Sequence, residues 1–174
     1  MKSPVSPVAV FLLALGCAAP RLAAPHLAPQ LSREPLFRPE QVFLGVTRGD
    51  GTLVRRGKPP LHYTVKNLGT PESDSLFRLD QTVAFSNGSV ESRSWQIRSR
   101  GDHHYSAKLT GAAGDVSAET NGNLFHLRYL VRRPGIYMEQ WLYLQPDGRV
   151  LNIGKVKMLG FLLAQLAETI TPGH

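Results

Sequence analysis

From Phe37 onward, apolar and polar residues alternate with a period of two, in short runs broken by Gly, Pro, Asn and Asp. Leu61, Tyr63 and Val65 alternate with His62, Thr64 and Lys66, and Phe77, Leu79, Val83 and Phe85 share one parity against Arg78, Asp80 and Thr82. Trp95 and Ile97 oppose Gln96 and Arg98, while Phe125, Leu127, Tyr129 and Val131 oppose His126, Arg128 and Leu130. Side chains on a strand point to opposite faces in turn, so such runs bury one face and wet the other. Asn87-Gly88, Gly101-Asp102, Asn121-Gly122-Asn123, Pro134-Gly135 and Pro146-Asp147-Gly148 fall between runs, where tight hairpins need positive φ or a fixed backbone. The expected fold is all-β, an antiparallel up-and-down, lipocalin-like barrel, because closure removes exposed strand edges. An open sandwich is the alternative. Residues 159–174 fit either reading of their pattern. Leu159, Leu162, Leu163, Leu166 and Ile170 make a helical stripe, and the same stretch could be the apolar strand that closes the barrel.

The chain has 174 residues, 42% of them hydrophobic and 19% charged, which suits one globular domain of residues 36–174 behind a leader. The net charge of +7 is spread over Arg55-Arg56, Arg93, Arg98 and Arg100, Arg132-Arg133 and Lys155 to Lys157. Dispersed basic charge is read first as solvated surface. With no recognition helix, zinc-finger spacing or RNA-binding strand motif beside it, nucleic acid is not an expected partner.

Met1-Lys2-Ser3 is weakly positive, Val8 to Leu15 is apolar and uncharged, and Gly16-Cys17 follows at once. This is the layout of a secretory signal, residues 1–16, too short to span a bilayer as a mature helix. A small residue before a cysteine at the end of such a run resembles a bacterial lipobox. That resemblance implies lipidation of Cys17, with anchoring on the periplasm-facing side of the cell envelope. The alternative is ordinary cleavage a few residues downstream. Residues 17–35 are rich in proline and alanine without a hydrophobic period, and read as a tether.

Val42-Phe43-Leu44-Gly45, Arg55-Arg56, Arg93-Ser94-Trp95-Gln96-Ile97, Gly122-Asn123 with Tyr129, and Trp141-Leu142-Tyr143-Leu144 with Asp147 and Leu151-Asn152 follow one another in order. As a set they resemble the bacterial lipoprotein family catalogued as domain of unknown function 3833. The resemblance implies a short, exported, lipocalin-like protein and carries over no activity.

If the aromatic parity faces inward, Arg93, Trp95, Tyr129, Glu139, Trp141 and Tyr143 line one cavity, with Arg93 and Glu139 as a charge pair. A buried charge needs a partner, so this set could orient the polar head of a ligand, or serve as core and structural ion pair. Adjacent His103 and His104 would point apart on a strand and make poor joint metal ligands. No nucleophile elbow, phosphate loop or zinc-protease helix occurs in the sequence, and neither metal nor cofactor is expected. The expected partners are an apolar small molecule or fatty acid and, through the lipid anchor, a membrane. The alternatives are a small isomerase or cyclase on the same barrel, and a scaffold meeting an envelope partner through its basic surface.

Overall fold

The computed structural model describes residues 29–173. Ten strands follow one another in the chain: β1 (Gly45–Arg55), β2 (Leu61–Ser73), β3 (Leu76–Phe85), β4 (Val90–Ser99), β5 (His104–Leu109), β6 (Val116–Asn121), β7 (Leu124–Arg132), β8 (Ile136–Leu144), β9 (Val150–Met158) and β10 (Phe161–Pro172). Each pairs antiparallel with its chain neighbours, and β1 also pairs with β10, so the sheet closes on itself. The C-terminal stretch is thereby a strand over Phe161–Pro172. Leu166 and Ile170 turn inward with Glu168 between them, and Ile170 is buried opposite Gly49. A helix there would leave β1 and β9 as open edges, and closure supplies both with a hydrogen-bonded partner.

The strands run alternately up and down, so the turns divide between two ends. One end is closed by the chain entering the barrel. The short helix α1 (Pro39–Val42) lies there with Phe37 and Phe43, both buried. The Phe37 ring stacks on Phe125 at 5.4 Å and tilts against Phe43 at 6.0 Å. Burying such a ring is worth about 1.5–3 kcal/mol, which holds the plug in place.

The approach to this plug is ordered by Asn123. Its Nδ2 donates to the carbonyls of Gln30 and Leu144, and its Oδ1 accepts from the Ser32 amide. Gly122 beside it has φ +55°, and a Cβ there would collide with the Ser32 carbonyl. The last part of the expected tether is therefore docked on the barrel, and Ser32 is bonded both to the Asn123 side chain and to its amide. The leader and Cys17 lie outside the described residues.

The larger apolar cluster fills the barrel toward the closed end, from Phe37 and Phe43 up to Trp95 and Tyr129. A smaller one, Tyr63, Val65 and Val83, lines the wall nearer the other end.

Candidate functional site

Between these clusters lies a cavity of about 380 Å³. Its walls are largely apolar, with a polar strip of Gln81, Arg93, Tyr63, Asn152 and Glu168 carried by two cross-strand rows. In the first row, Thr47, Asn67, Gln81 and Arg93 stand directly opposite one another on β1 to β4. The Asn67 Nδ2 donates to Thr47 Oγ1 at 2.9 Å, and Gln81 Nε2 donates to Asn67 Oδ1 at 2.8 Å. Gln81 Oε1 accepts from Arg93 Nε at 3.0 Å and from Trp95 Nε1 at 2.6 Å. Two donors on one oxygen fix the orientation of Gln81, and Gln81 in turn fixes Asn67, which is 0% exposed. Arg93 is thus held by its Nε and lines the cavity.

In the second row, Asn152 on β9 and Glu168 on β10 face Gly51 on β1 and Tyr63 on β2. Glu168 Oε2 accepts from Asn152 Nδ2 at 2.9 Å. Glycine in β1 makes this crowding feasible. A Cβ on Gly49 would overlap the Glu168 carboxylate, and one on Gly51 would strike the Tyr63 ring. Burial raises the carboxyl pKa of Glu168 above its ordinary value, against the opposing pull of Asn152 and of Arg93. The Tyr63 hydroxyl is likewise pushed up, first by burial and then by Glu168. It is the buried side-chain polar atom left without a partner among the described residues. Arg93 acts electrostatically on Tyr63, Tyr129 and Glu168, yet forms no ion pair with Glu168 among the described residues. One cation, one unpartnered hydroxyl and one carboxyl whose pKa burial raises therefore share the cavity wall. The cation and the hydroxyl can donate, so this part of the strip suits an acceptor.

The structure brings together Arg93, Trp95 and Tyr129 of the six residues expected in one cavity. Trp95 meets Tyr129 edge-on at 5.6 Å. Glu139, Trp141 and Tyr143 are on the opposite face of β8, pointing away from the interior, and the inward parity is Met138, Gln140, Leu142 and Leu144. Both parities of β8 read as apolar in sequence, and the outward residues find partners on the outer wall. Trp141 stacks on His126 at 5.4 Å and carries Lys155 Nζ 5.5 Å from its ring. Glu139 meets His126 Nε2 at 3.1 Å and Lys157 at 3.8 Å. The expected Arg93–Glu139 pair is replaced by an unpaired Arg93 with Glu168 as the interior acid. Sequence reasoning missed Glu168, Tyr63, Asn67, Gln81 and Asn152. Glu168 had a visible signal, a lone acid on the inward parity of an apolar run, but only once that run is read as a strand.

A closed antiparallel barrel with a mixed-polarity internal cavity defines the chain as a lipocalin-like protein. It belongs to the family described as Protein of unknown function (DUF3833), whose sequence model matches residues 11–171. No curated protein is similar enough in sequence to count as a relative. Among solved structures, the chain is similar to the S-type phycobiliprotein lyase CpeS from Guillardia theta, at 9% identity and TM-score 0.62, over 78% of this chain and 90% of that one. It is also similar to Rv2717c from M. tuberculosis, at 11% identity and TM-score 0.56, over 79% and 99% of the two chains. A protein of unknown function from Nostoc punctiforme matches at 15% identity and TM-score 0.54, over 85% of this chain and 54% of its own. At these identities the likeness is one of fold.

Proposed function

We propose that this protein is an exported, lipid-anchored barrel that binds one amphipathic small molecule, with an apolar body in the cavity and an acceptor head group, such as a carboxylate, at Arg93. The observation that carries the reading is the Arg93 cation and the unpartnered Tyr63 hydroxyl beside an apolar cavity. Leaving a buried polar group without a partner costs about 1–3 kcal/mol, and a ligand oxygen would relieve that cost at Tyr63 while meeting the Arg93 charge. A volume of about 380 Å³ is within the usual range for small-molecule pockets. A fatty acid fits both requirements. The lipobox-like Gly16-Cys17 supports the anchoring, since acyl chains on Cys17 would hold the barrel at a membrane where such ligands reside. One similar structure is a lyase, so the barrel scaffold is compatible with chemistry on what it holds.

The test is mass spectrometry of the organic extract of natively purified full chain. An amphipathic species bearing a carboxylate or carbonyl should copurify in near-stoichiometric amount, and its mass should stay constant on incubation. A change of mass would favour the enzyme reading. Extracts indistinguishable from those of an unrelated exported protein would refute the binding reading.

A further inference from the structure

The end of the barrel opposite the plug differs from it in both charge and apolarity. The cavity reaches solvent there. Its lining residues toward this end include the exposed Glu91 and Val131, whereas Phe43, Phe125 and Ile170 at the other end are buried. Because β10 lies between β9 and β1, and β8 lies beside β9, three turns of this end are neighbours around the rim: β7–β8, β9–β10 and β1–β2. The middle turn is apolar. Leu159 is 81% exposed and Phe161 68%, with Met158 exposed beside them. The flanking turns are basic, with Arg132 and Arg133 on one side and Arg55, Arg56 and Lys58 on the other, all exposed, and no acid lies within these three turns. The arc is continuous, since Leu159 Cδ2 comes within 3.7 Å of where a Cβ on Gly135 would sit.

Leu159 is also a poor choice for its own fold. It occupies a tight hairpin position with φ +48°, followed by Gly160 at +85°. Asn-Gly is the pair favoured at such a turn, and leucine there bears a steric cost without burying its side chain. The folded barrel gains nothing visible from it.

We infer that this rim docks on an anionic phospholipid surface, the apolar turn entering the interface and the two basic turns meeting the head groups. An apolar tip between cations matches a bilayer face, where apolar burial and attraction to anionic lipid act together. The docked orientation would bring the open end of the cavity to the membrane. It does not require that the cavity hold a fatty acid, so the proposal and the ligand reading can fail separately.

The test is cosedimentation of the full chain with vesicles of phosphatidylcholine alone and of equal parts phosphatidylcholine and phosphatidylglycerol. Variants of the rim are compared with a control at the plugged end, Leu31→Ser. The Arg132→Gln/Arg133→Gln variant should bind the anionic vesicles about twenty-five-fold more weakly, at about fivefold per basic residue, and bind neutral vesicles as the wild type does. Leu159→Asn separates docking from folding. It should raise the melting temperature, because asparagine suits the turn, and yet lower vesicle affinity. Leu31→Ser should change neither. Rim variants that bind anionic vesicles as tightly as wild type does would overturn the proposal.

Discussion

Glu168 is the residue on which the interior chemistry turns. Its carboxyl is buried beside Tyr63, receives one hydrogen bond from Asn152, and lies near Arg93 without touching it. Its pKa is raised in the folded protein, so the folded state holds the proton more tightly than the unfolded chain. Stability is then greatest below the ordinary glutamate pKa and falls as pH rises from there through the raised value. Glu168→Gln keeps the acceptor for Asn152 and cannot ionise. Its melting temperature should match wild type near pH 4 and exceed it at pH 7 to 8. A difference independent of pH would show that the carboxyl titrates alike in both states.

At the scale of elements, period-two alternation made most of the strands legible, because one face of each is buried and the other wet. The turns were legible from glycine and asparagine. Two things were not. In β8 both parities carry large apolar residues, and the choice between them is made by register with β7, which sets Trp141 opposite His126 and Leu142 opposite Phe125. A one-residue shift exchanges every inward side chain, so local pattern cannot decide it. In β10 the leucines satisfy helical and strand periods alike, and the choice falls to the open edges of β1 and β9, a non-local cause. Arg93, Trp95 and Tyr129 of the expected residues do face one cavity, on strands whose outward parity is more polar than that of β8. The docking of residues 30–35 was also hidden, since Asn123 reads locally as a turn residue. Asn123→Ala should remove three hydrogen bonds. The expected cost is about 3 kcal/mol, at about 1 kcal/mol each, seen as a lower urea midpoint. Trypsin should also cut faster at Arg33. An unchanged midpoint would mean that the entering segment adds nothing to stability.

The whole molecule has two unlike ends, one plugged by aromatic rings and one open with a basic, apolar-tipped rim. The chain enters at the plugged end. Anchoring at Cys17 is proposed, and it predicts that Cys17→Ser moves the protein from the membrane to the soluble fraction of the cell envelope. Two acyl chains are needed for firm anchoring, and rim docking alone would be reversible. A Cys17→Ser protein that stays in the membrane fraction through a high-salt wash would refute lipid anchoring as the means of retention.

The ligand reading rests on Arg93 facing an apolar cavity, and titration with a dansyl-labelled fatty acid tests it most directly. Wild type should saturate at one probe per chain. Arg93→Met, which keeps an unbranched apolar stem and removes the charge, should bind at least tenfold more weakly while melting near the wild-type temperature. Glu139→Gln, on the outer wall, should bind as wild type does. Equal binding by wild type and Arg93→Met, or loss of binding in Glu139→Gln alone, would contradict the account.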